Sequence, residues 1–472
     1  MHTISPRNLP ASGFTDGLPN PERLWAFLAI AIALTMAVLD SAIVNVALPV
    51  LAQELQVDPA TAVWAVNAYQ LAITVSLLPL ASLGDALSYR RIYWAGLLVF
   101  TLASFGCAFA GSFPVLIGAR ILQGLGAAGI MSVNIALVRF IYPAKLLGRG
   151  VGNTALVVAV SSAAGPTLAA AILSVASWPW LFLINVPLGV FALIVAARTL
   201  PETPRSARRL DGWSVLLNAL TFGLLITGID GLSTGDLTYP LLALGGAVVA
   251  GFVFVRYQLS LPMPLLPLDL LRRPVFALSM MTSVCSFATQ ALAYLALPFY
   301  FHDELGRSVT ETGMLMTPWP LAIAVAAPVA GRLADRFSPG LLGGVGLAIQ
   351  AAGLALLAML PDDPSTADII WRLTICGLGF GLFQSPNNKA IITSAPPERS
   401  GSASGMQSSA RLLGQSLGAA LAAVLFGLAP GNATALILWL GAGLSAIGCV
   451  TSSLRVFRDR HPSRPDPDPK VR

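Results

Sequence analysis

The sequence predicts an all-α polytopic membrane protein of about 14 transmembrane helices: two six-helix bundles with an inserted two-helix hairpin between them. Three observations carry this. The 472 residues are 56% hydrophobic and only 11% charged, where soluble domains carry roughly 25% charged residues, and the mean hydropathy is +0.75. Apolar stretches of about 20 residues, enough to cross a bilayer, recur roughly fourteen times. A short polar loop also occurs twice in similar surroundings, as expected of two related halves.

The apolar stretches begin near Leu24, Ala60, Arg91, Pro114, Val151 and Trp180, then near Trp213 and Leu237, and finally near Phe276, Gly313, Gly340, Ile369, Gly405 and Thr434. They divide the chain into a polar tail (1–23), a first bundle (24–200), a linker with the inserted hairpin (201–260), a second bundle (261–454) and a basic tail (455–472). The repeated loops are Ala81-Ser82-Leu83-Gly84-Asp85-Ala86-Leu87-Ser88-Tyr89-Arg90-Arg91 and Gly331-Arg332-Leu333-Ala334-Asp335-Arg336-Phe337. Each sets Leu two residues and Asp four residues after a small residue, with bases close by.

Charge fixes the expected orientation. The net charge of +6 does not point to nucleic acid, because the bases stand at the edges of apolar stretches. Arg90, Arg91, Lys145, Arg149, Arg205, Arg208, Arg209, Arg272, Arg273, Arg332 and Arg336 fall on the side of the tails. The opposite loops hold Glu54, Asp58, Asp236, Asp303, Glu304, Asp362 and Asp363, with Arg307 almost alone among bases. By the positive-inside rule both termini are cytoplasmic and the number of spans is even. The chain is then a multi-pass protein of the inner or plasma membrane. The polar first 23 residues lack the apolar core of a removable signal peptide. Cys107, Cys285, Cys376 and Cys449 read as small hydrophobes, and three histidines with no ligand spacing predict no metal site. No polar cluster suggests an enzyme. Without a Gly-Lys-Ser/Thr phosphate loop, no nucleotide cofactor is expected and an ion gradient is the remaining energy source.

Two charges stand inside apolar stretches, Asp40 in the first and Arg120 in the fourth. An arginine at mid-bilayer costs at least about 2.5 to 3.5 kcal/mol on insertion scales, so it is expected to face a cavity and hold a partner. Asp40 lies about 16 residues, or ~24 Å, into its span from the inside. Arg120 lies about 6 residues, or ~9 Å, down from the outside in a ~30 Å core. The two therefore fall at similar depth. A carboxylate shielded from water beside a fixed guanidinium can exchange a proton as access alternates; a static pair that only fixes helix packing is the alternative. Arg411 is expected to reach the cytoplasmic face. Asn45, Gln70, Gln123, Gln384 and Asn387 are the polar candidates for a cavity wall, and the glycines Gly377, Gly379 and Gly381 are expected to let helices approach.

With these residues in place, the chain resembles the major facilitator superfamily, and within it the fourteen-span drug:proton antiporters. The resemblance rests on the order of Leu39-Asp40 through Ala47-Leu48-Pro49, Trp64 with Tyr69-Gln70-Leu71, Arg120-Ile121-Leu122-Gln123-Gly124, Gly165-Pro166, Asn185-Val186-Pro187-Leu188-Gly189 and Phe383-Gln384-Ser385-Pro386-Asn387-Asn388. It implies roles for these positions. Asp40 and Arg120 would couple protons. Asp85, Arg90, Arg91, Asp335 and Arg336 would form a cytoplasmic gate, the first copy departing from the pattern at Ala81, Ala86, Ser88 and Tyr89. Gly165-Pro166 would be the antiporter kink. The implied function is proton-coupled export of amphipathic organic compounds or drugs, with a small-molecule substrate, the lipid bilayer and the proton gradient as partners and protein partners open. The single deep carboxylate favours monocations, neutral compounds or zwitterions over dications. A narrow metabolite exporter, a uniporter or a transport-dead sensor of the same fold are the other readings.

Overall fold

Inside a bilayer every backbone N–H and C=O needs an internal partner, and apolar stretches of this length meet that need as α-helices. The computed structural model describes residues 16–459 apart from 58, 63, 204, 206–210, 232–237, 262–263, 266–268, 308, 362 and 429–431. The first half contains α1 (Glu22–Glu54), α2 (Trp64–Leu87), α3 (Tyr89–Ala108), α4 (Phe113–Ile141), α5 (Leu147–Val175) and α6 (Asn185–Thr199). Then come α7 (Gly212–Gly231) and α8 (Thr238–Ser260). The second half contains α9 (Pro274–Phe299), α10 (Pro318–Leu333), α11 (Pro339–Ala358), α12 (Thr366–Ser394), α13 (Ser400–Leu428) and α14 (Ala433–Asp459). Among the described residues, 13 stretches are long and apolar enough to cross a membrane. Helix α13 is not among these; its first half carries Ser400, Ser402, Ser404, Gln407, Ser408, Ser409 and Arg411, and several side chains of its apolar second half lie outside the described residues. Large apolar side chains such as Leu102, Phe105, Leu122, Val248 and Phe252 are exposed on the outer faces, a surface suited to lipid rather than water.

The two halves repeat a set of close glycine crossings. In the first, a Cβ on Gly126 would lie 2.7 Å from the Gly96 carbonyl, and one on Gly124 would lie 2.6 Å from that of Tyr69. In the second, a Cβ on Gly379 would lie 2.6 Å from the Gly346 carbonyl, and Gly377 presses on the Trp319 carbonyl. Only glycine permits backbones so near. Thus α4 lies against α3 and α2 as α12 lies against α11 and α10. Helices α7 and α8 pack on each other, Gln258 Nε2 donating to Ser214 Oγ at 2.6 Å, and α7 docks on α2 through Asn218 Nδ2 to the Val75 carbonyl at 2.7 Å.

Both described ends of the chain come to one end of the bundle, here called the basic end. Asp16 Oδ1 accepts from Ala144 N at 2.7 Å, just after α4. Arg455 packs on Gly340 at the start of α11. The final helix runs to Asp459 and buries Arg455 completely, where the sequence reading assigns it to a solvated tail. Arg455 Nη1 donates to Asn387 Oδ1 at 2.7 Å and to Ser279 Oγ at 2.8 Å, and these bonds carry the charge inside the helix packing.

Candidate functional site

Helices α1, α4 and α6 of the first half bring their polar side chains into one buried cluster, and α2 closes it. Asp40 of α1 is 1% exposed and Arg120 of α4 is fully buried. Arg120 Nη1 donates to Asp40 Oδ2 in a direct ion pair. The other carboxylate oxygen accepts from Gln123 Nε2 at 2.7 Å and from Asn185 Nδ2, on α6, at 3.2 Å. The guanidinium also donates from Nε to the Ala65 carbonyl at 2.7 Å and from Nη1 to Gln123 Oε1 at 2.6 Å. Its Cζ lies 4.2 Å from the centroid of the Tyr69 ring, whose hydroxyl donates to the Ala37 carbonyl at 2.8 Å. A buried ion pair is tolerable only when further hydrogen bonds satisfy both partners. Here they nearly do, Arg120 Nη2 alone being left without an acceptor among the described residues.

Tyr69 separates this cluster from the central cavity. The cavity, about 440 Å³, lies between the halves and is lined by Ser41, Tyr69 and Gln70 from the first and by Gln290, Tyr294, Gln384, Arg411 and Gln415 from the second, with apolar walls including Phe287 and Phe380. Gln70 and Gln384 both line this cavity, Gln70 Nε2 donating to Ser41 Oγ at 3.1 Å. Two other candidates do not reach the cavity. Gln123 is fully buried in the ion-pair cluster, donating also to Ser104 Oγ at 2.9 Å. Asn387 is fully buried and engaged by Arg455 and Ser283. Asn45 lies on α1, but its side chain is outside the described residues. Arg411 is corrected most. Because α13 starts at Ser400, Arg411 is set 11 residues inside the helix rather than at its edge, and it faces the cavity.

Each repeated loop reaches across the basic end to a helix of the opposite half. Asp85, 1% exposed, accepts from the Ser402 hydroxyl and from Ser402 N at 3.1 Å, in the first turn of α13. Tyr89 Oη donates to Asp85 Oδ1 at 2.7 Å and accepts from Gly401 N at 2.9 Å. Asp335 of the second half mirrors this: it accepts from Gly148 N at 2.8 Å and Arg149 N at 3.3 Å, in the first turn of α5. Lys389 Nζ pairs with the same carboxylate at 2.8 Å. Arg139 adds a bond from Nη1 to the Ile392 carbonyl at 2.8 Å. The other expected gate residues sit differently. Arg90 donates to the Ala197 carbonyl within its own half, and Arg91 and Arg336 are exposed. The loop pattern gives no sign of Ser402, Lys389 or Arg139 and marks Tyr89 only as a departure. Further along α5, Gly165 presses on Ala42 of α1 so closely that a Cβ would collide with that of Ala42; the Pro166 side chain is outside the described residues. No group of three or more His, Cys, Asp or Glu suited to a metal occurs among the described residues.

A cavity between two repeated helical halves, latched at one end, with a buried charge pair beside it, is an arrangement able to expose one site to either side of a membrane. The family model described as Major Facilitator Superfamily matches residues 30–419 and 279–472. The chain belongs to the major facilitator superfamily. As a member it is a multi-pass membrane transporter and not an enzyme. It is 56% identical over 448 residues, 94% of this chain and 98% of the other, to the "Uncharacterized transporter YebQ" of Escherichia coli. It is 31% identical to the "Tetracenomycin C resistance and export protein" of Streptomyces glaucescens, over 88% of this chain and 77% of that protein. Among solved structures, the human organic anion transporter MFSD10 shares the fold with a TM-score of 0.67 at 17% identity, covering 92% of this chain and 100% of that one.

Proposed function

We propose that this major facilitator protein is a proton-coupled antiporter that exports amphipathic organic compounds by alternating access. In this reading it belongs to the fourteen-span drug:proton branch: α13 is the remaining span and α7–α8 are the inserted hairpin. The basic end is cytoplasmic, both termini lie inside, and the protein resides in the inner or plasma membrane. The observation that carries the proposal is the Asp40–Arg120 pair, held by Gln123 and Asn185 directly behind the cavity-lining Tyr69. Intramembrane charge of this kind is retained at functional sites, and the export protein from Streptomyces supports the direction.

A proton arriving on Asp40 cancels the carboxylate that balances Arg120. The guanidinium must then find other acceptors, and the cation held against Tyr69 shifts relative to the cavity wall. Proton occupancy and cavity shape are coupled by that step. At the basic end, Asp85 and Asp335 hold the halves closed by capping helices of the opposite half, so release of these caps opens the other side.

The test is a compound-susceptibility panel in a bacterial host stripped of efflux pumps, with Asp40→Asn and Arg120→Ala at matched membrane expression. Any compound that scores is then used to drive proton flux in everted vesicles. Resistance and flux lost in both variants support the proposal. Resistance that survives both variants keeps a pump and removes the pair from coupling.

A further inference from the structure

Among the described residues, the central cavity carries one unneutralised charge, and it is positive. Arg411 projects into it from α13, and its Nε has no hydrogen-bond partner among those residues. No described carboxylate pairs with its guanidinium, and no Asp or Glu lies on the described cavity wall. The nearest deep acid, Asp40, is committed to Arg120, Gln123 and Asn185 behind Tyr69. The contrast with the two other deep arginines is informative. Arg120 has an acid and a carbonyl, and Arg455 has Asn387, Ser279 and Ser452. Arg411 has a cavity.

A guanidinium keeps its charge at any physiological pH and presents five donors in a planar fork that matches a carboxylate or sulfonate. In a cleft with low-dielectric walls its attraction for an anion is stronger than in bulk water, and its repulsion of a cation equally so. The rest of the wall suits the body of such a ligand. Phe287, Phe380 and Tyr294 offer aromatic surface, and Gln290, Gln384 and Gln415 offer neutral hydrogen bonds. A volume of about 440 Å³ is within the range of drug-sized sites.

We infer that Arg411 is the substrate-charge selector of the cavity, and that the transported compounds are amphipathic organic anions or zwitterions whose acidic group meets its guanidinium. This deepens the export reading and rests on it. It also narrows the sequence reading, which favours monocations, neutral compounds or zwitterions over dications: monocations drop out, since the deep carboxylate of that count does not face the cavity.

The test uses purified full-length protein in detergent and three probes with one aromatic body: 2-naphthoate, 2-naphthamide and 2-naphthylmethylammonium. Binding is measured calorimetrically at neutral pH. The expected order is naphthoate tightest, by about 10-fold or more over the amide, as one charge-assisted hydrogen-bonded pair provides, with the ammonium weakest. Arg411→Gln removes the preference and Arg411→Lys keeps most of it. A preference for the ammonium, equal binding of all three, no binding of naphthoate, or a naphthoate preference untouched by Arg411→Gln overturns the inference. The wild-type ranking decides the matter even where a variant folds poorly. Export is scored separately in proteoliposomes. Anion binding without transport removes the export reading and leaves the site; transport confined to cations does the reverse.

Discussion

Asp85 and Asp335 each cap the first turn of a helix belonging to the opposite half: Asp85 accepts from Ser402 N of α13, and Asp335 from Gly148 N of α5. The relationship is reciprocal, and it makes one acid in each repeated loop a fastener for the other half. A carboxylate at a helix N-terminus gains from both the free N–H groups and the helix dipole. The loops could have paired internally with their arginines. They reach across instead, so the bonds exist only while the basic end is closed.

Replacing either acid should therefore open that end without unfolding either half. Losing charge-assisted bonds worth about 1 to 2 kcal/mol shifts a two-state equilibrium roughly 5- to 30-fold. Spin labels at the exposed positions Arg91 and Thr393, in a background without the four cysteines, should report a longer-distance population in Asp335→Asn and in Asp85→Asn. Distance distributions identical to wild type in both variants would remove the latch.

A steric route should give the same opening. Gly331 of α10 and Gly148 and Gly152 of α5 meet backbone to backbone, and a Cβ on Gly331 would lie 3.0 Å from Gly152 Cα and collide with the Gly148 carbonyl. Neither backbone can yield cheaply, and overpacking of this kind costs about 1 to 3 kcal/mol. The cost falls only on the closed state. Gly331→Ala should thus populate the open basic end in the same spin-label experiment while leaving thermal stability near wild type. A folded variant that stays closed would show that the crossing is looser than described.

At the same end, Asp269 and Arg399 form a second bridge, with Nη2 to Oδ1 at 3.1 Å. Partial burial raises the Asp269 carboxyl, but the hydrogen bond and charge of Arg399 outweigh it and hold the group below its usual range. A depressed carboxyl stabilises the folded chain above its unfolded value and loses that contribution as pH falls through the folded one. Between pH 5 and 8 the bridge should stay formed, and Asp269→Asn should shift stability by less than about 1 kcal/mol because the pair is half-exposed. Any transport pH dependence in that window should survive Asp269→Asn, which a pH profile of proton flux would check.

The depth of a residue is legible in a sequence; its azimuth around the helix is not. Counting residues from span edges puts Asp40 and Arg120 at one height, and the structure joins them. The same arithmetic cannot tell that Gln123 turns inward to that pair while Gln70 and Gln384 turn to the cavity. Arg411 escapes it for another reason. The serines of residues 400–409 look like a loop in a hydropathy window, yet they are buried between the halves, Ser402 Oγ donating to the Asp85 carboxylate and Ser409 Oγ to the Gly405 carbonyl. Helix α13 therefore starts five residues before the expected Gly405, and Arg411 moves ~16 Å in from the helix start. Arg455 follows the same logic: Ser452, Ser279 and Asn387 solvate a charge that composition assigns to water.

The Asp40–Arg120 pair separates packing from coupling by a double substitution. Removing one member leaves the other buried and unbalanced, a loss of about 3 to 5 kcal/mol, whereas replacing both with neutral groups of similar size is often close to neutral. Asp40→Asn and Arg120→Met should each lower the melting temperature in detergent. The double variant should regain most of that loss. The amide introduced by Asp40→Asn keeps an oxygen to accept from Gln123 and Asn185, and the thioether introduced by Arg120→Met needs no acceptor. A pair that serves packing alone would then transport as wild type does. A pair that carries the proton predicts the opposite: stability restored and substrate-driven proton flux still absent. Flux recovered together with stability would assign Asp40 and Arg120 to the architecture and send the search for the proton site elsewhere in the bundle.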